Sequence, residues 1–471
     1  MKNLDYPIYS ELSQFSVVPI NVKQNKKARV AWLNKSWFRE HGVDLSVPST
    51  HDYVTVWLTE VFGVHVNPQG RHIGHFADRY GGTGGAPHGG SGRCISIGAL
   101  NSKGNGATPL VANNTSHSYK HGRLQFSQAM KQAIMSAVCE KRFPYGSIPV
   151  VAVIDLGFTF DFRKDGESER CAAVVRPNFI RAAHLERSIF FGQAGFAKSD
   201  QFQDSQSVKS YCQLALTGRF TLNDTTELSP SGFVDQWVDR VCDQLGYGRA
   251  HRIWGDNLVS SNTLLNGGWC DLELFQTLPN FGRCYNQVNN VFGQEANSVL
   301  QAARSLEFYL SKTSRIISNN WRKRNPLDVE KTIHERFLRH AIAALTPSEC
   351  NLSQTGRLRR ALTDLYRHDQ AYQYHESKLL KSEDHDPCNM SDKRKSIMNR
   401  LYADAQKINH AFDLAKDDTD SMFLEFFGSN CDYFGVRLRS QCESMVEDVF
   451  VRTLKEFSEI QSFCDDKIKS F

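Results

Sequence analysis

Twelve cysteines run from Cys94 to Cys464 without a single C-x-x-C pair, which excludes a zinc knuckle and a thioredoxin-type redox motif. Long apolar runs are also missing. The longest, from Ile148 to Phe158, contains Asp155 and is too short to span a bilayer, and the opening Met-Lys-Asn-Leu-Asp-Tyr-Pro has no signal-peptide core. A soluble cytoplasmic protein with free thiols and no membrane partner is expected. Charge of one sign is scarce: 56 Lys and Arg against 51 Asp and Glu leave +5, far from the basic excess of a nonspecific nucleic-acid binder. No nucleic-acid partner is expected. No P-loop, no G-x-G-x-x-G fingerprint and no G-x-S-x-G elbow occurs, and no cysteine has a histidine partner in sequence, so hydrolase and thiol catalysis lose their usual signals.

What is present is an ordinary globular composition, 40% hydrophobic and 23% charged, in a chain of 471 residues that suffices for two or three packed units. Residues 1–60 form a lead segment. From Gly70 to Gly106 the chain is dense in glycine and reads as a loop region, interrupted by the β-like run Cys94 to Leu100. Ser127 to Val138 carries Ala129, Ala133, Ile134, Ala137 and Val138 at the spacing of one helix face. Ser147 to Phe162 and Cys171 to Ile180, rich in Val, Ile and Phe around a polar turn, predict a β-hairpin. Residues 61–182 thus read as a strand-rich unit. Residues 183–320 read as mainly helical, with amphipathic stretches at Gly232 to Leu245 and Ala296 to Thr313, and residues 321–471 as a helical extension. The fold class is α+β.

The run S-N-T-L-L-N-G-G-W-C-D-L-E places Asn262 nine residues before Asp271. An Asn leaving a catalytic loop and an Asp ending the next short strand are how kinase-like enzymes hold metal ions on a nucleoside triphosphate. A triphosphate also needs glycines, which bring backbone N–H groups close, and fixed cations. Gly90-Ser91-Gly92-Arg93 and Lys103-Gly104-Asn105-Gly106 supply both, although a plain glycine turn between strands has the same composition. Together with Gly74-His75-Phe76-Ala77, Pro177-Asn178-Phe179-Ile180-Arg181 and Gly282-Arg283-Cys284-Tyr285-Asn286-Gln287, these motifs stand in an order that resembles the SelO (YdiU) family, over roughly residues 20 to 315. The resemblance implies a protein-kinase-like bilobal fold, with ATP and Mg bound in an inverted pose and AMP transferred to protein hydroxyls.

Carried over by position, the resemblance makes Gly90, Gly92 and Arg93 a phosphate turn in which Ser91 replaces Asp, Lys103 the ATP lysine, and Gly122 the glycine of a second turn in which His121 replaces Asp. Arg181 is implied as a phosphate arginine. A second one falls on Val174, with Arg176 two residues on and on the same strand face as its substitute. The acidic partner of the lysine falls near Ala137, with Glu140 the nearest carboxylate. Asn262 and Asp271 are the implied metal ligands. The family's T-D-N triplet is Ser260-Ser261-Asn262 here, so the base is missing, since a serine hydroxyl is far too weakly basic near neutral pH.

Two rescues follow. Asp256, in Trp254-Gly255-Asp256-Asn257, is a candidate base, or the acceptor is a carboxylate, already ionised and in need only of positioning. The second case resembles the MchC-type microcin-maturation branch, in which a peptide C-terminus is activated as an acyl adenylate, and it implies a peptide or protein acceptor and a partner modification enzyme. A catalytically inactive scaffold and a phosphotransferase using Asp256 are the alternatives. His65, His72, His75 and His88 read as structural or turn histidines, and the basic runs at 321–324 and 357–360 as solvated helix faces.

Overall fold

The computed structural model describes residues 12–82, 89–112, 120–162, 168–188, 197–217, 229–251, 253–254, 259–273, 275–277, 295–345, 355–365 and 457–469, with isolated positions between 367 and 445. It is a mixed α+β fold. Strands β1 (Val17–Gln24), β2 (Arg29–Leu33), β3 (Val64–Val66), β4 (Arg71–Asp78), β5 (Cys94–Ile97), β6 (Leu100–Lys103), β8 (Ala152–Asp161) and β9 (Ser168–Pro177) form an antiparallel sheet in the order β2-β8-β9-β6-β5-β4-β1-β3, and β7 (Leu124–Gln125) pairs with β9. A separate two-stranded ribbon joins β10 (Ile253–Trp254) to β11 (Gln276–Thr277).

Strands β8 and β9 explain why the sequence signal was so apolar. Successive strand side chains point to opposite faces, and here both faces are covered. Val153, Ala172 and Val174 face the large core shared with the helices, whereas Ala152, Ile154, Ala173 and Val175 face Trp37, Phe38, Val54, Leu58 and Phe62 of α1 (Lys35–Glu40) and α2 (Pro48–Phe62). Each buried Val or Ile contributes about 1.5–3 kcal/mol. The expected hairpin is present as the second and third strands from the β2 edge of the sheet, buried on both faces. The glycine-dense stretch expected as loop around the β-like run of β5 also holds β4 and β6. Its glycines make tight turns, as at Gly98, whose φ of +56° serves the two-residue connection between Ile97 and Leu100.

Helix α3 (Phe126–Arg142) packs on β8 and β9 and is buried almost all round, including Lys131, Gln132 and Ser136, rather than on one face. Four further helices pack together: α4 (Lys198–Leu216), α5 (Pro230–Ala250), α6 (Glu295–Ser314) and α7 (Pro326–Leu345). Helix α5 starts where Ser229 Oγ accepts the Gly232 N–H at 3.1 Å and Pro230 occupies the first turn. It crosses α7 at Gly246, where a Cβ would lie 2.6 Å from Arg336 Cβ. No helix among the described residues is long and apolar enough to cross a membrane.

The last helix, α8 (Phe457–Lys469), lies against α3 and the edge strand β2. Ile460 and Cys464 enter the large core, and Gln461 behaves like one more strand residue: its Oε1 accepts the Leu33 N–H at 2.9 Å and its Nε2 donates to Leu33 O at 3.1 Å. Asp465 accepts from Trp32 Nε1 at 3.2 Å. An open sheet edge is thereby covered. Replacing Gln461→Ala leaves a largely buried peptide group unpaired, and urea unfolding should read a loss of about 1–2 kcal/mol. No measurable change would mean that the edge is not held by this side chain.

Candidate active site

Lys103 ends β6 between Cys94 of β5 and Val174 of β9, and only 3% of its side chain is exposed. A buried ammonium must be paired. Its Nζ lies 2.8 Å from Asp271 Oδ1 and also contacts Glu273 Oε1. Glu273 in turn accepts from Arg93 Nη2, at 3.2 and 3.3 Å to its two oxygens, and from Gln132 Nε2 of α3 at 2.9 Å. Leu272, between the two carboxylates, is buried in the large core, so alternate residues of a short segment face the lysine. Burial alone would raise the Asp271 carboxyl, but Lys103 and Arg93 outweigh it and hold the group well below the usual carboxylate range.

The lysine's acidic partner is thus Glu273 and not Glu140, which sits on the exposed last turn of α3 with Glu40 as its charged neighbour. Helix α3 supplies Gln132, an amide, to the same cluster. The signal for Glu273 was the D-L-E triplet itself, whose two carboxylates are spaced to share one side of an extended chain.

Arg176 of β9 is almost fully buried, donating to Asn101 Oδ1 at 3.0 Å and to Cys270 O at 3.3 Å. Arg181 donates to Tyr80 Oη at 2.7 Å and stacks on Tyr80 and Phe179, while Arg176 lies over the same Phe179 ring. Arg93, Lys103 and Arg176 thus set three cations around Asp271 and Glu273, while Arg181 shares the Phe179 ring with Arg176 and lies near Asp78. The excess of positive charge suits a polyanion.

The turn at Gly90 to Arg93 is rigid. Gly90 has φ +144°, and a Cβ there would lie 2.1 Å from Asp78 O. The Ser91 hydroxyl donates to Asp78, Gly92 O accepts from Thr108 N at 2.9 Å, and Thr108 Oγ1 donates to Ser91 O at 2.7 Å. Ser91 is engaged within the fold, so Arg93 is the group this turn presents to the cluster. Asp78 also accepts from His184 Nε2 at 2.6 Å, while His184 Nδ1 accepts the Arg181 N–H at 2.9 Å, which fixes a neutral imidazole protonated at Nε2. Burial lowers the His184 pKa. Burial works against the Asp78 charge too, but the His184 hydrogen bond prevails and the carboxyl is held at about 2.

Gly122 is engaged elsewhere. At φ +66° it lies backbone to backbone with Gly106, whose N–H it accepts at 3.1 Å, and a Cβ would fall 2.2 Å from Gly106 C. His121 accepts the Arg123 N–H and packs on Phe160 and Phe162. Gly122 fixes the end of the lysine strand and is not gathered into the cation cluster.

The segment from Val259 to Asp271 folds back on itself. Asn262 N donates to Val259 O at 2.9 Å, Cys270 N donates to Asn262 O at 3.2 Å, and Thr263 O and Ser260 O accept from Ala182 and Ala183. The Asn262 backbone is thus tied to the residue before Asp271. An ionised Asp and an Asn on adjoining backbone are hard oxygen donors that suit Mg when phosphate oxygens complete the shell. A cation there would compete with Lys103 for Asp271. Asp256 lies outside the described residues, as does His88, and among the described residues no three His, Cys, Asp or Glu side chains form a metal cluster.

Sequence reasoning also missed Glu186, which follows the short 3-10 turn Ala182–Leu185. It is 2% exposed and accepts from Ser260 Oγ at 2.6 Å. Burial raises its carboxyl to about 7, and the Ser260 hydrogen bond offsets only part of that. No family model matches this chain, and no curated protein matches it.

The raised carboxyl predicts a pH dependence of stability. Folded Glu186 keeps its proton until about pH 7 whereas the unfolded group loses it near 4.5, so the folded state binds more protons in that window. Stability should fall as pH rises through it. Denaturant titrations across the window should show this slope in the parent and not in Glu186→Gln; equal slopes would show that Glu186 is ionised in the folded protein.

Proposed function

We propose that the chain has a protein-kinase-like bilobal fold and transfers AMP from Mg-bound ATP to a protein or peptide acceptor, the activity implied by its resemblance to the SelO (YdiU) family. The observation that carries this reading is the buried Lys103 cluster, a lysine tied to Asp271 and Glu273, with Arg93 on Glu273 and Arg176 acting on Asp271, just after Asn262 in the chain. In this reading Asn262 and Asp271 hold Mg, which neutralises phosphate charge. Lys103 and Arg93 bind phosphate oxygens, Arg181 adds charge at the α-phosphate, and Glu273 with Gln132 keeps Lys103 aimed. Such pre-set cations lower the barrier because they need no reorganisation as charge develops.

Ser261 stands where the base is expected and cannot serve as one. A peptide carboxylate removes the need for a base in this step: its oxygen attacks the α-phosphate, pyrophosphate departs, and an acyl adenylate results. This is the chemistry of peptide maturation of the microcin type, with a partner enzyme or small nucleophile consuming the adenylate. A scaffold without turnover is the second reading. It draws on the mutual neutralisation of Lys103 and Asp271, which gives the pair a structural role without any ligand.

ATP labelled on the α- or γ-phosphate separates these readings. Label from the α-phosphate should reach an acceptor with release of pyrophosphate, and Lys103→Ala and Asp271→Ala should each lower transfer by at least about 100-fold. Asp256→Asn should leave it within a few-fold. Transfer of γ-label lost in Asp256→Asn would establish a phosphotransferase, and absence of nucleotide binding would establish the scaffold.

A further inference from the structure

The basic run at 321–324, expected as a solvated helix face, begins instead as a short 3-10 turn, Trp321–Lys323. The turn hangs from the buried Trp321 side chain, whose Nε1 donates to Asp235 Oδ1 of α5 at 3.0 Å. Just before it, α6 stops at Arg315, whose φ of +60° is the only left-handed value at a non-glycine among the described residues. A Cβ makes that conformation costly, so the surrounding structure has to hold it. Glu307, 2% exposed, does so from inside: one oxygen accepts from Ser318 Oγ at 2.6 Å and Asn320 N at 2.9 Å, and the other from Trp321 N at 3.1 Å. Arg304 donates to the carbonyls of Trp321 and Arg324, and Ser314 Oγ accepts the Ile316 N–H at 3.2 Å. The loop 315–321 is braced along its length.

What the brace presents to solvent is Ile316, 53% exposed, and Ile317, 89% exposed. Phe308 of α6 and Leu327 in the first turn of α7 are exposed as well, at 50% and 77%. Ordering a loop to hold isoleucines in water gains nothing by itself, and exposed apolar groups of this kind mark an interaction surface. Charge surrounds them. Residues 304–328 contain six Lys and Arg against two acids, Asp328 and Glu307, the second of which is consumed by the brace. Arg324 is matched by Asp235 at 3.6 Å, but among the described residues Lys312, Arg315, Arg322 and Lys323 are exposed and pair with no carboxylate. Phe308, Lys312 and Arg315, spaced by four and three residues, follow one face of α6 into the loop.

We propose that this loop is a peripheral membrane contact, in which Ile316 and Ile317 enter the headgroup region of a bilayer while Lys312, Arg315, Arg322 and Lys323 bind the phosphates of anionic lipid. Two observations select a bilayer over a protein groove. Ile317 is exposed too fully to line a groove, so it projects and needs an occupant that yields around it. The cations flanking the isoleucines match an anionic surface, and apolar insertion and charge attraction add in such contacts. The braced loop also meets the surface already ordered, so little conformational entropy is lost on binding. The absence of an apolar span set the expectation of no membrane partner, and a contact of this kind needs no span. The proposal is independent of the nucleotide chemistry.

The test sediments the full-length protein with vesicles of phosphatidylcholine alone and of phosphatidylcholine with about 30% phosphatidylglycerol. Binding is expected to the anionic vesicles only, and it should weaken as salt rises. A cation at such a surface is worth about 5-fold in affinity, so Arg322→Gln with Lys323→Gln should weaken binding about 25-fold. Ile316→Ser with Ile317→Ser should weaken it by about 10-fold or more at an unchanged unfolding temperature. Ile317→Trp should still bind, and brominated lipid should quench its fluorescence beyond the quenching of the parent; if the serine variant unfolds early, this variant decides alone. No capture by anionic vesicles, capture retained by a folded serine variant, or no added quenching would overturn the proposal. So would binding to poly-glutamate as tight as to the vesicles, which would identify a docking face for an acidic protein.

Discussion

An ammonium buried at the end of a central strand has to be neutralised, and the way Lys103 is neutralised ties several distant parts of the molecule together. Its carboxylates come from the segment after Asn262, the arginine that shares Glu273 comes from the glycine turn before β5, and the amide that completes Glu273 comes from α3. Removing one partner of a buried ion pair typically costs 3–5 kcal/mol, because the other charge is left uncompensated. Four separate stretches of chain are therefore held to one position by a single ion cluster. Helix α3 is itself clamped between the sheet and α8, so the last helix of the chain braces the element that carries Gln132.

The same cluster is what the proposed chemistry would use. Without a polyanion, Lys103 is satisfied by Asp271. With phosphate oxygens and a cation present, the lysine and the carboxylate each acquire a different partner, and Glu273 remains to hold the lysine in place. In that chemistry, two carboxylates two residues apart would divide the work between support and metal binding. The neutral His184, the low carboxyl of Asp78 and the raised carboxyl of Glu186 lie along one short stretch and its partners, and each shift is the outcome of burial set against an identifiable neighbour.

Much of the frame was legible in the sequence because its signals are local. The apolar runs of β8 and β9 and the amphipathic patterns of α5 and α6 fell where strands and helices stand. Lys103, Arg93 and Asp271, singled out in sequence by the motifs of the resemblance, are residues that the fold brings together. What was not legible is long-range. Glu273 pairs with Lys103 from 170 positions away, and Gln132 carries no charge to mark it as part of an ion cluster. The glycine stretch misled because turns between short strands and a long loop share one composition. Gly122 looked like a ligand-facing glycine, yet it is required by contact with Gly106, a neighbour brought close only by folding. The pairing of Gln461 with Leu33 joins residues more than 400 positions apart and leaves no sequence pattern.

Calorimetric titration of a non-hydrolysable ATP analogue into the full-length protein, with Mg and with EDTA in its place, bears most directly on the central claim. One saturable site is expected that needs Mg, is lost in Lys103→Met and in Asp271→Asn, and is weakened in Glu273→Gln. Binding that ignores Mg and survives both losses, or no binding to the folded parent, would contradict it.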